Sequence, residues 1–407
     1  MIELRGRYNT AKVFTNNIEE QATSQIIELL NQEAFKDSKV RIMPDTHAGK
    51  GCVIGFTANL KNKAIPNLVG VDIGCGMFAV KLGDVKIKFE ELDKFIRHNI
   101  PHGNKVNKKV QLRVDKNFHD RIAEISKRTN SNLNRNLLSI GSLGGGNHFI
   151  EINQDKYGEK WLVIHSGSRN FGHRIATYHQ KRAIEYCSRQ VRYISDEKNE
   201  KMGLLKKQNR DSEIKDLIDA YKPLLDKYNL PKDLCFLEDV RLEKYLNDMK
   251  FAQEYANLNR RVMAKKILEH LDLKIDDLEH FQTIHNYIDF EDMVVRKGAI
   301  SAQKGEKVLI PINMRDGSII AIGKGNEDWN NSAPHGAGRL MSRSKAKEVI
   351  DLEDYKDSMK GIWSSSVKES TLDEAPMVYK PIEEIIENIK ETAEILDIIK
   401  PLYNFKA

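Results

Sequence analysis

Apolar positions along the chain change their period several times, and each change marks an element. Residues 1–80 run as short alternating stretches, the pattern of strands and loops, broken by one helical stretch at 18–32 where Ala22, Ile26, Ile27 and Leu30 fall on one face. Val40-Arg41-Ile42-Met43-Pro44 predicts a strand opening into a glycine-rich loop, Asp45 to Cys52, before a second strand-like run at 53–58. Residues 84–138 are charged and mostly helical, and strands return at Phe149-Ile150-Glu151-Ile152 and Trp161-Leu162-Val163-Ile164. From 175 to about 271 the chain is helical again, with Leu242, Tyr245, Met249, Ala252 and Ala256 on a broad apolar face. This stretch predicts a helical layer on a β core, with the polar segment 206–211 as a loop inside it. The last third has strands at 281–284 and 308–312, a basic helix from Met341, and closing helices after Val378-Tyr379-Lys380-Pro381. The fold class is α+β.

Composition narrows this only a little. A chain of 407 residues can bury a large core or form two to three domains. The start, Met1-Ile2-Glu3-Leu4-Arg5, lacks a signal pattern, and no apolar run is long enough to span a bilayer, so a cytoplasmic protein without membrane partners is expected. Four cysteines, Cys52, Cys75, Cys187 and Cys235, are too few for a disulfide framework, so any special thiol is a ligand or nucleophile. The net charge of +6 suits a polyanionic partner and ordinary solubility equally. No CxxC, HExxH, GxSxG, P-loop or dinucleotide-binding glycine motif is present, which excludes the common zincin, hydrolase, NTPase and Rossmann readings.

The candidate chemistry centres on Gly70-Val71-Asp72-Ile73-Gly74-Cys75-Gly76-Met77. A carboxylate and a thiol three residues apart on a glycine-loaded turn suit Mn, Fe or Zn better than Mg or Ca, because a thiolate is soft and can bridge two cations. A buried structural cysteine in a tight turn is the competing reading. Gly144-Gly145-Gly146 before Asn147 and His148 gathers bare N–H groups into an anion nest. His148, His165, His285 and His335 each sit at a strand end or small-residue turn beside glycine. One such histidine would pass as a core residue; four, with Asp72 and Cys75, are hard to explain that way. Arg296-Lys297-Gly298 suits phosphate, whereas the basic run Lys105, Lys108, Lys109, Arg113 reads as a solvated face.

Taken in order, the motifs at Asp72 to Met77, Gly144 to Glu151, His165 to Arg169, His285-Asn286, Arg296 to Ala299 and His335 to Arg339, with Met43 to Gly51 around Asp45, resemble the RtcB family of RNA ligases. The likeness covers residues 43 to 380. It implies a single catalytic domain over 1–407 with a mostly helical insertion at about 175–271 and a central β core carrying the metal site. It also implies two manganese ions bridged by Cys75, with Asp72 and His148 completing one shell and His165 and His285 the other. His335 matches the nucleophile that takes GMP from GTP as a phosphoramidate. GMP would then pass to an RNA 3′-phosphate, and a 5′-hydroxyl would attack to seal the strand, with 2′,3′-cyclic phosphates opened first. Asn147, Asn286, Pro311, Met314, Ser318, Gly336-Ala337-Gly338 and Lys380 match guanylate-binding positions; Arg169 and Lys297 match positions that hold phosphates of GTP or RNA.

One departure bears on base choice. Where the long bacterial and archaeal ligases carry a PGSM turn, this chain has Pro311-Ile312-Asn313-Met314-Arg315-Asp316-Gly317-Ser318. Its length resembles a compact bacterial branch associated with RNA repair, so cleaved structural RNA and tRNA halves both stay open as substrates, as does an archease-like activator. A dinuclear phosphatase or cyclic phosphodiesterase acting on RNA ends without nucleotidylation is the alternative enzyme, and a non-catalytic sensor of broken RNA is a third reading.

Overall fold

Seven antiparallel strands form the main sheet, in the spatial order Lys307–Asn313, Gly317–Gly323, Ala393–Lys406, Phe149–Gln154, Lys160–Ser166, Gly76–Gly83, His280–Ile284. In the computed structural model, which describes residues 1–112 and 114–406, the two edge strands of this sheet meet: Leu309 N–H donates to Thr283 Oγ1 at 3.2 Å. The sheet therefore curls into a nearly closed barrel. Alternation along each strand sorts the two faces. Met77, Ala79, Phe149, Trp161 and Val163 point inward with Leu309, Ile320 and Ile399. Phe78, Val80, Ile150, Ile152, Leu162 and Ile164 point outward under Leu92 and Ile96 of the Phe89–Asn99 helix and Met263, Ile267 and Leu268 of the Asp239–His270 helix. Such burial contributes about 1.5–3 kcal/mol per large apolar side chain and is what seats the helices on the barrel.

A six-stranded sheet adjoins it, in the order Ile2–Arg5, Thr10–Val13, Lys39–His47, Ile54–Asn59, Val294–Lys297, Asn286–Ile288, all antiparallel except for the Thr10–Val13 to Lys39–His47 pair. The Glu20–Leu30 helix buries Ala22, Ile26, Leu29 and Leu30 in the core that this sheet shares. The short pair Ala299–Ser301 and Ser332–Pro334 carries the chain to His335. The helical layer comprises Arg169–Lys207, Ile214–Tyr228 and Asp239–His270, with the predicted polar loop at 208–210.

The structure corrects three expectations. Asp45 and His47 lie on the Lys39–His47 strand rather than on a loop, because Asp45 is wholly buried and the strand runs on past an irregularity to pair His47 with Ile54. The helical section starts at Arg169, immediately after the strand that ends in His165-Ser166. The chain closes on a fourteen-residue strand, Ala393–Lys406, after the short Ile382–Asn388 helix, where helices were expected. Ile395, Ile398 and Ile399 are β-branched, and Pro401 cannot sit in a helix interior; it is accommodated where the register shifts between Pro401 and Tyr403. Arg113 of the basic run lies outside the described residues.

Candidate metal and nucleotide site

Register brings the sequence candidates together. Gly76 pairs with Ser166 and with Ile284, and His165 pairs with both Met77 and Phe149. Cys75, His148, His165 and His285 therefore flank the same end of the barrel. The Asp72–Cys75 turn is pinned there from several sides. His285 N–H donates to Cys75 O at 2.9 Å, Gly74 N–H to Asn286 O at 2.8 Å, and the Asn286 amide to Asp72 O at 3.2 Å. Two helix residues that the sequence reading passed over complete the clamp. Buried Arg260 donates to Gly74 O and Ser166 O, both at 2.7 Å, and Asn259 receives Gly141 N–H and Ser142 N–H while donating to Gly167 O. Gly167 is required by close approach, since a Cβ there would overlap the Asp72 carboxylate.

Cys75 Sγ lies 3.4 Å from His148 Nε2 and 3.3 Å from His165 Nε2, and Asp72 Oδ2 lies 3.1 Å from His148 Nε2. His148 Nδ1 meets Leu143 O at 2.8 Å and His165 Nδ1 meets Asn147 O at 3.1 Å. A carbonyl can only accept, so in both rings Nδ1 carries a proton and Nε2 is the atom turned on the thiol. This is how ligating imidazoles are usually held. The His285 ring stacks edgewise on His165 at 5.2 Å between centroids and stands 4.8 Å from His335, with its buried Nδ1 unpartnered.

Burial, reinforced by the neighbouring histidines, drives His165 and His285 well below the ordinary histidine range, so both stay neutral ligands at pH 7. Burial, then the Asp72 carboxylate, pushes the Cys75 thiol well up. Burial alone would raise Asp72 too, but its hydrogen bond and ion pair with His148 prevail and hold it below the carboxylate norm. A thiol, two neutral imidazoles and an ionised carboxylate converge at this point. The donor set fits a borderline-soft divalent ion.

His335 opens the second half of the site. Its Nδ1 sits 2.6 Å from Asp45 Oδ2, which also accepts the His335 backbone N–H at 3.1 Å. The Asp45 carboxylate thereby fixes the ring and leaves Nε2 free. The cavity beside it, about 180 Å³, is lined by Asn147, Pro311, Met314, His335, Gly336, Ala337 and Gly338, all predicted nucleotide contacts. The other three do not line it. Lys380 donates to Asn17 O at 3.0 Å and Pro44 O at 2.9 Å, Asn286 braces the Asp72 turn and accepts Gly298 N–H, and Ser318 is fully buried one residue past Gly317, which does line the cavity. The Lys297 ammonium donates to Lys50 O and Cys52 O, and burial lowers it to about 8. Arg169 reaches Gly103 O at 2.8 Å and Ser142 Oγ at 3.2 Å, and lines an open groove with Asp72, Asn147 and His148.

The cavity contains groups the sequence reading missed. Glu151, which accepts from the Asn153 and Asn404 amides, is buried, and its carboxyl is pushed up to about 7 by that burial. Lys406, also lining the cavity, forms a buried pair with Glu374, which Tyr379 and Arg343 also approach. Glu151 stood inside a motif already singled out, at the alternating position that faces into the barrel end. Lys406 was hidden by the helical expectation for the terminus.

The fold and site define a class: an α+β protein with a metal-type donor cluster and a histidine–carboxylate pair opening on a small cavity. The family model described as tRNA-splicing ligase RtcB matches residues 28–407, and the chain belongs to that family. It is similar to the RNA-splicing ligase RtcB of Escherichia coli strain K12, 30% identical over 415 residues covering 93% of this chain and 92% of the relative. The tRNA-splicing ligases RtcB of Aeropyrum pernix and Methanococcus maripaludis are each 26% identical, covering 84% and 88% of this chain and 82% and 85% of the relatives. Among the described residues, no helix is long and apolar enough to cross a membrane.

Proposed function

We propose that this chain is a GTP- and manganese-dependent RNA ligase that joins 3′-phosphate or 2′,3′-cyclic phosphate ends to 5′-hydroxyl ends. The observation that carries the reading is His335: its Nδ1 is held by Asp45 at 2.6 Å, so its Nε2 faces a cavity that adjoins the Cys75–His148–His165 cluster. Nε2 attacks the α-phosphorus of GTP. The N–P bond forms as the bond to the bridging oxygen breaks and pyrophosphate leaves, while the Nδ1 proton stays in its hydrogen bond to Asp45. The RNA 3′-phosphate oxygen then takes GMP from the ring, restoring His335, and a 5′-hydroxyl displaces GMP to close the strand. Cys75, Asp72, His148, His165 and His285 would hold the two metal ions, which supply Lewis-acid stabilisation of phosphoryl charge when bound. Glu151 presents acceptors suited to the donor edge of guanine, and Lys406 a donor suited to its carbonyl. We read the whole chain as one catalytic unit with the helical layer as an insertion, acting on cleaved tRNA or structural RNA.

The test is to incubate metal-stripped protein with Mn and α-labelled GTP, with ATP in parallel. Acid-labile label from GTP on the wild type and none on His335→Ala is expected. RNA-end hydrolysis that survives in His335→Ala, with no label in either protein, would replace the ligase by the phosphatase or phosphodiesterase alternative.

A further inference from the structure

We propose that the basic face of the Arg169–Lys207 helix, ending in the cleft it forms with the start of the Asp239–His270 helix, binds the RNA strand leading away from the break. The proposal rests on the RNA-ligase reading above, and concerns a surface that the chemistry does not use. Charge on this helix is lopsided: its first 24 residues, 169–192, carry six arginines and lysines against the single acid Glu185. At 3.6 residues per turn, Arg174, Tyr178, Lys181, Arg182, Arg189 and Arg192 fall within about 100° of one another. The near end of that stripe is at the candidate site, because Arg174 lines the same open groove as Asp72, His148 and Arg169.

The far end is a second cavity of about 320 Å³, lined by Tyr178, Arg182, Tyr186 and Arg189 from one helix and Arg241 and Lys244 from the other. Of its four cations only Arg182 pairs with a carboxylate, Glu185 at 2.8 Å, among the described residues. The Arg241 guanidinium stacks on the Tyr186 ring at 4.5 Å, and the Tyr186 hydroxyl is anchored by Glu238 at 2.7 Å, so the platform is rigid. Tyr193, one turn beyond Arg189, is 67% exposed. Guanidinium groups that fit phosphate and aromatic faces on which bases stack are the two components of a single-strand binding path. A 15-residue rise along the helix from Arg174 to Arg189 is about 22 Å, enough for a path of several nucleotides. Continuity with the metal groove and the exposed aromatic favour RNA over an acidic peptide as the occupant.

The test compares wild type with the Arg189→Ala/Arg241→Ala/Lys244→Ala variant. Binding of a 20-nucleotide 5′-hydroxyl RNA, a tetranucleotide with the same end and a polyglutamate peptide would be followed across salt concentrations. GTP labelling of His335 serves as an RNA-free readout of folding and chemistry. Expected are at least a tenfold weaker 20-mer, a slope of log affinity against log salt shallower by about 2 at about 0.7 per phosphate contact, and unchanged tetranucleotide binding and labelling. Replacing the two arginines by lysine should restore the slope, and Arg189→Glu alone should weaken the 20-mer further than Arg189→Ala. Unchanged affinity and slope in the triple variant would overturn the proposal, as would polyglutamate binding the wild type more tightly than RNA, which would assign the surface to an acidic protein. A wild type that fails to label, while the triple variant still loses the 20-mer, would overturn the ligase chemistry and leave this surface standing.

Discussion

Asp45 decides which nitrogen of His335 reaches the cavity. Its Oδ2 receives both the ring Nδ1–H and the backbone N–H of residue 335, so the ring can neither flip nor change tautomer without breaking a buried charge-assisted bond. Asp45→Asn should leave the fold intact and cut the rate of histidine labelling by about 10²–10⁴-fold, measured by quenched-flow labelling with GTP. Labelling within twofold of wild type would show that Asp45 does not orient the nucleophile. Glu151 gives a second prediction, through pH. Its carboxyl titrates at about 7 because burial disfavours the charge, and only the ionised form can accept from both donors of a guanine edge. GTP affinity should thus fall about tenfold per pH unit below 7 and level off above it, in equilibrium titrations with the metal held saturating, while Glu151→Gln should give a flat profile and lose preference for GTP over ATP. The same shift acts on the fold. The folded protein holds this proton above the ordinary carboxylate range, so the contribution of Glu151 to stability declines as pH rises from about 4.5 to about 7.

At the level of elements, what read cleanly from the sequence was either a single apolar period or an unbroken apolar run. The Glu20–Leu30 helix buries one face in one core, and the Phe149–Gln154 and Lys160–Ser166 strands are apolar on both faces because the barrel interior covers one and the helices the other. The terminal strand did not read, because Ala393–Lys406 sits between two partners and is covered on both faces along part of its length, so its apolar residues lose strict alternation. Lys406 was lost with it. Lys297 and Lys380 were legible as basic residues near glycine or proline, but nothing local shows that their ammonium groups cap the carbonyls of Lys50, Cys52, Asn17 and Pro44. Nothing local marks Arg260 either, though it joins its helix to two site segments. Arg260→Met should leave Gly74 O and Ser166 O unpaired, at about 1–3 kcal/mol each, lowering urea stability by about 2–6 kcal/mol and reducing bound metal per chain. Full metal content in a destabilised Arg260→Met protein would mean that the helix supports the barrel without setting the ligands.

Over the whole molecule, the site exists because the curled sheet brings strand ends from distant parts of the chain to one rim and the helical layer shields them from water. Sequence could supply Asp72, Cys75 and the histidines as a set, since each stands at a strand end or a tight turn, most of them near glycine; their convergence depends on register, which spans more than 200 residues between Cys75 and His285. That enclosure sets how metal binding responds to pH. Without a cation the Cys75 thiol is held protonated by burial and by Asp72, while His165 and His285 are already neutral, so between pH 7 and 8.5 the one proton these groups must release on binding is that of Cys75. Mn affinity should therefore rise about tenfold per pH unit across that range, and calorimetry in buffers of different ionisation enthalpy should count close to one proton released per chain. Cys75→Ala should lose both the proton release and most of the bound Mn. If instead the variant kept its Mn and the wild type released no proton, the cysteine would be a structural thiol in a tight turn and the ions, if two are bound, would have no sulfur bridge.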